Sequence, residues 1–71
     1  MAIYCVNKCA EDNGDHEVHD LTPNKCVRLP HPFNRLILGN HSNAASAMTE
    51  AKKNYRQIVG CVFCCPEHHS L

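Results

Sequence analysis

The amino-acid sequence predicts a small α+β domain with two or three antiparallel strands, one helix and a cross-linked C-terminal segment. A two-residue turn signal, Asn13-Gly14, follows a segment rich in β-forming residues and precedes a segment that would form the return strand. Apolar and small residues recur at helical spacing between residues 43 and 56. Six cysteines in 71 residues are an unusually high proportion, and they would supplement an apolar core too small to be stable alone.

The first two strands are predicted on either side of the Asn13-Gly14 turn. Residues 2–6 favour a strand, and residues 17–21 would return antiparallel to them because both turn positions tolerate positive φ. This register places Lys8 opposite His19. It also brings four negative charges close together, which costs free energy through like-charge repulsion; they belong to Glu11, Asp12, Asp15 and Glu17. A disordered acidic loop is therefore the alternative to a hairpin.

A third strand is predicted at residues 36–38, which form a short apolar run that ends at Gly39. The preceding segment contains Pro30 and Pro32. Each proline biases the residue before it toward extended conformations, so this segment is not expected to be helical.

The helix is predicted over residues 43–56. Ser42 or Asn43 can cap it by accepting a hydrogen bond from a free backbone N–H group. Gly60 ends the segment. The residues of its apolar stripe are Ala44, Ala47, Met48, Ala51 and Tyr55.

Composition and charge exclude several classes of protein. The formal net charge is zero, so nonspecific attraction of the whole chain to nucleic acid or membrane is not expected. No apolar run approaches the roughly 18 residues of a membrane span, and residues 1–20 lack the apolar segment of a signal peptide. We therefore expect a cytoplasmic protein in a reducing compartment. The chain is interpreted as one domain, with residues 1–25 as an acidic hairpin or mobile extension and residues 26–71 as the core.

Ligand-type residues are concentrated near the C-terminus. Cys61-x-x-Cys64 has the spacing of a zinc knuckle, in which a tight turn brings two thiolates to one tetrahedral ion. His68 would add a third ligand from the following turn, and Cys26 is the best distant candidate to complete the site. The sequence therefore predicts one structural Zn²⁺ site formed by Cys26, Cys61, Cys64 and His68. The secondary candidates are Cys65, His19, His69, Cys5 and Cys9.

Two questions about the metal remain open at this point. Cys64 and Cys65 are adjacent, and either thiol could be the ligand. A second site could gather Cys5 and Cys9 with nearby histidines, although one site is the simpler arrangement.

This pattern of cysteines and histidines is compatible with three classes of function. A zinc-stabilised binding module with a protein or nucleic-acid partner is favoured, and we expect no enzymatic activity because no catalytic constellation stands out. A secreted protein stapled by disulfides is the alternative. A metal-handling or redox protein is the third class, but a redox Cys61-x-x-Cys64 would normally occur in a thioredoxin-like fold larger than this chain.

Residues 26–70 resemble a group of small, uncharacterised bacterial proteins with a Gly-Cys-x-x-Cys-Cys-x-x-Cys-His motif. The layout also resembles the treble-clef zinc modules that are appended to some nucleases and repair proteins. The resemblance implies bound zinc and no particular activity. This chain has His68 where the group has Cys, which preserves the capacity to bind a metal. The residues that carry the resemblance are Cys26, Leu29-Pro30, Asn34, Leu38-Gly39, Ser42, Ala47, Ala51 and residues 60–69.

Overall fold

Four strands form one mixed sheet in the computed structural model of the chain, which describes residues 1–23 and 25–68. The elements in chain order are β1 (Ala2–Asn7), β2 (His16–Asp20), β3 (Arg35–His41), α1 (Ala44–Ala51) and β4 (Ile58–Gly60). The strand order is β3-β1-β2-β4. The α+β class with one helix is therefore confirmed, but the described sheet has four strands and is not purely antiparallel.

Strands β1 and β2 pair antiparallel, as the turn signal predicted, but in a different register. Cys5, not Lys8, lies opposite His19. The pairing ends with Val6 opposite Val18, and the residues after β1 form a loop whose tip contains Gly14 at a φ of 93°. The Asn-Gly pair therefore turns the chain inside a longer loop, so it does not set the strand register directly.

Strand β4 was not predicted, because its three residues are too few to give a periodic pattern. It pairs parallel to β2, with Ile58 beside His16 and Gly60 beside Val18. The next backbone N–H group, that of Cys61, donates to the carbonyl oxygen of Val18 over 3.0 Å. This pairing places the start of the C-terminal Cys-rich segment directly against β2.

Strand β3 pairs antiparallel to β1 and extends beyond both ends of the predicted segment. Tyr4 lies opposite Gly39 and Cys5 opposite Ile37, so Leu38 is an extra residue that forms a bulge. Gly39 has a φ of 86°, which glycine adopts without strain.

Helix α1 begins after Asn43, whose side-chain oxygen accepts from the N–H of Ser46 over 2.9 Å. It ends at Ala51, earlier than the predicted residue 56, because the chain must turn back to form β4. Tyr55 consequently lies beyond the helix, where its ring stacks on that of His16 at a centroid distance of 3.9 Å. The buried helix residues are all alanines, which allow close packing on the sheet: Ala44, Ala47 and Ala51.

The core between helix and sheet is small. Its buried residues are Tyr4, Val6, Val18, Leu38, the three helix alanines, Cys61, Cys64 and Cys65. Three polar residues of β2 are also buried: Glu17, His19 and Asp20. In the described parts of the chain, no helix has the length and apolarity needed to cross a membrane.

Candidate metal centre

Four ligand-type side chains converge at one side of the sheet. They are His19 of β2, Cys26 of the following loop, and Cys61 and Cys64 of the turn after β4; their ligand atoms all lie within 4.8 Å of one another. His19, Cys61 and Cys64 are buried, and Cys26 is partly buried. The parallel pairing of β2 and β4 is what brings residues so far apart in sequence together.

Three of the six separations within this cluster are close to the edges of a zinc tetrahedron, and all six lie within 4.8 Å. Cys26 Sγ lies 3.6 Å from Cys61 Sγ and 3.6 Å from His19 Nδ1, and Cys64 Sγ lies 3.7 Å from the same nitrogen. Zinc bonds of about 2.3 Å to sulfur and about 2.0 Å to nitrogen give edges of about 3.8 Å between sulfurs and about 3.5 Å from sulfur to nitrogen. The four side chains therefore fit a Cys₃His site.

The same distances exclude a disulfide in this structure. A disulfide requires about 2.05 Å between its sulfurs, well below the 3.6 Å between Cys26 Sγ and Cys61 Sγ. All six cysteines lie within the described residues, and each of them is free.

Backbone N–H groups are directed at all three sulfurs of the cluster. Hydrogen bonds to a thiolate favour the charged form, so these donors suit sulfurs that bind a cation. Each sulfur accepts from one backbone N–H group: Cys26 from Arg28 N at 3.4 Å, Cys61 from Phe63 N at 3.4 Å and Cys64 from Asp20 N at 3.3 Å.

Burial shifts the pKa of His19 and of Cys26 and contributes to the shift at Cys64. It lowers the pKa of His19 to about 4, with help from nearby arginines, so the imidazole is neutral at neutral pH, as metal binding requires. Burial also raises the pKa of the Cys26 thiol to about 12. A hydrogen bond with Cys65, together with burial, raises the pKa of Cys64 above its usual range. A divalent cation reverses the preference of these thiols for the protonated form, because coordination deprotonates them.

Three of the four principal ligand candidates lie together, namely Cys26, Cys61 and Cys64. The fourth position of the cluster is occupied by His19, which was a secondary candidate. His68 lies instead at the end of the short 3₁₀ segment Pro66–His68, beside β4. A Cβ added to Gly60 would come within 2.8 Å of His68 Cβ, which shows how closely that segment packs on the strand.

The other secondary candidates lie outside the cluster or outside the described residues. Cys5 and Cys65 are buried but do not belong to the group of convergent ligand atoms. Cys9 is exposed in the loop after β1, where its N–H donates to the side chain of Asn34 over 2.7 Å. His69 is outside the described residues.

The signal that could have favoured His19 is strand alternation. Glu17 and His19 are two residues apart in β2, so their side chains share one face of the sheet. Cys5 lies opposite His19 on that face. The predicted register placed Lys8 opposite His19 instead, so it gave no indication that Cys5 and His19 lie side by side in a buried environment.

Four protein ligands of this type can hold a tetrahedral metal ion, for which zinc is the usual choice. Comparisons with protein-family models, with curated proteins and with solved structures find no match to this chain.

Proposed function

We propose that this protein is a zinc-stabilised binding module whose Zn²⁺ is structural and is held by His19, Cys26, Cys61 and Cys64. The observation that carries the proposal is the convergence of four ligand atoms within 4.8 Å, with one sulfur–sulfur and two sulfur–nitrogen separations of 3.6–3.7 Å that suit one tetrahedral ion. The metal would tie β2, the loop after it and the turn after β4 into one unit. This link would compensate for the small apolar core, because zinc-binding free energy then contributes to folding free energy.

A structural role is favoured over a catalytic one by the number of ligands. Catalytic zinc normally keeps one coordination position for water or substrate, whereas these four side chains would fill a tetrahedron. We therefore propose that the protein is not an enzyme. We also propose a reducing, cytoplasmic setting, in which the six free thiols would stay reduced.

The resemblance of residues 26–70 to small bacterial zinc proteins and to treble-clef modules supports zinc as the metal. The proposed ligand set differs from the resembled motif in one respect, since His19 lies outside this segment. We propose a related way of holding zinc, with one ligand supplied by the N-terminal hairpin.

A binding surface is proposed beside the metal centre. Val27 follows Cys26 in sequence and is 84% exposed, and Phe63, in the turn between Cys61 and Cys64, is 52% exposed. The 3.6 Å contact between the sulfurs of Cys26 and Cys61 brings these two loops together. Rigid loops that expose apolar side chains suit a macromolecular partner, either a protein or a nucleic acid.

Titration of the reduced protein with Co²⁺ tests the metal site. We expect absorption bands of a tetrahedral cobalt–thiolate centre that saturate at one ion per chain. Cys26→Ser, Cys61→Ser and Cys64→Ser should each weaken these bands. Cys9→Ser is the matched control and should leave them unchanged, because Cys9 is exposed and outside the cluster. A fully reduced chain that binds neither cobalt nor zinc would overturn the proposal.

A further inference from the structure

The imidazole of His19 faces the sulfurs through only one of its ring nitrogens. Nδ1 lies 3.6 Å from Cys26 Sγ and 3.7 Å from Cys64 Sγ. Nε2 is buried and makes no hydrogen bond within residues 1–23 and 25–68. A carboxylate oxygen of Glu17 lies 3.5 Å from it, in ion-pair range but without hydrogen-bond geometry. The two ring nitrogens therefore face a metal site on one side and a carboxylate on the other.

Strand geometry explains why Glu17 occupies this position. Residues two apart on β2 share a face, so the side chains of Glu17 and His19 lie side by side. Glu17 is only 4% exposed, and a buried carboxylate is costly unless charged or hydrogen-bonding groups surround it. Its second oxygen lies 3.8 Å from Nη1 of Arg28. The carboxylate is thus held between an imidazole and a guanidinium.

Arg28 connects this carboxylate to the metal cluster by a second route. Its backbone N–H donates to Cys26 Sγ over 3.4 Å, while its guanidinium reaches Glu17. Its other terminal nitrogen lies 3.7 Å from a carboxylate oxygen of Glu11 in the hairpin loop. Glu17 is therefore part of a network that contacts two of the four ligand residues, His19 directly and Cys26 through Arg28.

We propose that Glu17 is a positioning residue of the metal centre, accepting a hydrogen bond from Nε2–H of His19 when a metal ion is bound at Nδ1. This inference rests on the proposed function. Such a hydrogen bond fixes the tautomer whose Nδ1 lone pair is free, holds the ring in orientation and makes the nitrogen a stronger ligand. Glu17 therefore contributes to zinc affinity without touching the metal.

Nuclear magnetic resonance of the zinc-loaded wild-type protein tests the geometry without any mutation. The ¹⁵N shifts and couplings of the His19 ring should show a protonated Nε2 and a metal-bound Nδ1. A downfield Nε2–H proton that is protected from exchange would report the hydrogen bond. Coordination through Nε2, or an Nε2–H that exchanges freely with water, would overturn the inference.

Zinc affinity measured by chelator competition tests the contribution of the carboxylate. Glu17→Leu should weaken affinity by about 10- to 100-fold, the range found when such outer partners are removed. Glu17→Gln should retain part of the affinity, because its amide oxygen can still accept from Nε2–H. Glu67→Gln is the matched control for charge, since Glu67 is exposed on the Pro66–His68 segment, and it should bind zinc like the wild type.

The outcomes separate this inference from the proposed function. A wild-type chain that binds no metal overturns both. A wild-type chain that binds zinc, with Glu17→Leu and Glu67→Gln of equal affinity, overturns the role of Glu17 alone. If Glu17→Leu does not fold, Glu17→Gln decides together with the wild-type ring spectrum. Weakened zinc affinity in Glu17→Gln with a protected Nε2–H in the wild type would support the role of Glu17, whereas wild-type affinity with an Nε2–H that exchanges freely with water would overturn it.

Discussion

Replacing Gly60 by alanine should disturb the metal centre through backbone packing alone. A Cβ at this position would lie 2.7 Å from the carbonyl oxygen of Cys65 and 2.8 Å from Cβ of His68. Both distances are shorter than a carbon atom tolerates. The carbonyl oxygen of Cys65 and Cβ of His68 belong to the segment that follows Cys61, so the turn that carries Cys61 and Cys64 has to move.

The expected magnitude follows from the cost of overpacking. An added methyl group that forces the backbone to shift costs about 1–3 kcal/mol. Gly60 does not have a positive φ, so its replacement adds no backbone strain of that kind. If the displacement falls on the turn that carries Cys61 and Cys64, a loss of this size weakens zinc affinity by roughly 5- to 140-fold, because about 1.4 kcal/mol corresponds to a factor of ten.

Chelator competition would measure the change in zinc affinity, and thermal unfolding of the zinc-loaded protein would measure the change in stability. Gly39→Ala is the matched control. Gly39 has a φ of 86° and no atom within 4 Å of an added Cβ, so its replacement should cost about 1–2 kcal/mol of stability while zinc affinity stays unchanged. Wild-type zinc affinity in Gly60→Ala would refute the close packing of the turn on β4.

Three further predictions concern the ligands, the helix and the metal. His19→Ala should weaken zinc affinity by about 100-fold or more, because a zinc-binding free energy of about 10–16 kcal/mol is shared among four ligands. His68→Ala should still bind one zinc ion per chain. The reverse result would identify His68, not His19, as the fourth ligand. Asn43→Ala should lower the free energy of unfolding by about 1 kcal/mol in chemical denaturation, while Ser42→Ala should change it little; equal losses would contradict the assignment of the cap. Removing zinc with a chelator should abolish the helical circular dichroism, because the apolar core is small and the roughly 10–16 kcal/mol of zinc binding would supply most of the folding free energy. A retained spectrum would show that the metal is not needed for folding.

Features set by a few contiguous residues could be predicted from the sequence. The Cys61-x-x-Cys64 turn and the cap of the helix at Asn43 depend on local backbone geometry and on side chains close in sequence. The hairpin of β1 and β2 also followed from Asn13-Gly14, although that pair lies within a longer loop. Cys26 was predicted because the local segment needed one more ligand from elsewhere, and its sulfur lies in the cluster.

Features that depend on strand register could not be predicted in the same way. Strand β4 is stabilised by parallel pairing with β2. Its three residues contain no local signal that identifies a partner strand so distant in sequence. His19 lies in the cluster, and the register that places Cys5 rather than Lys8 opposite it is not determined by a hydrophobic pattern alone. His68 has the better sequence spacing, yet close packing at Gly60 places it beside β4.

Native mass spectrometry of the protein purified under reducing conditions, without added metal, tests the central claim most directly. It counts bound ions and oxidised cysteines in one spectrum. We predict one zinc ion per chain with all six cysteines reduced, as the free thiols of the structure require. A metal-free folded chain, or a chain about six hydrogens lighter because three disulfides have formed, would contradict the claim that zinc holds this fold together.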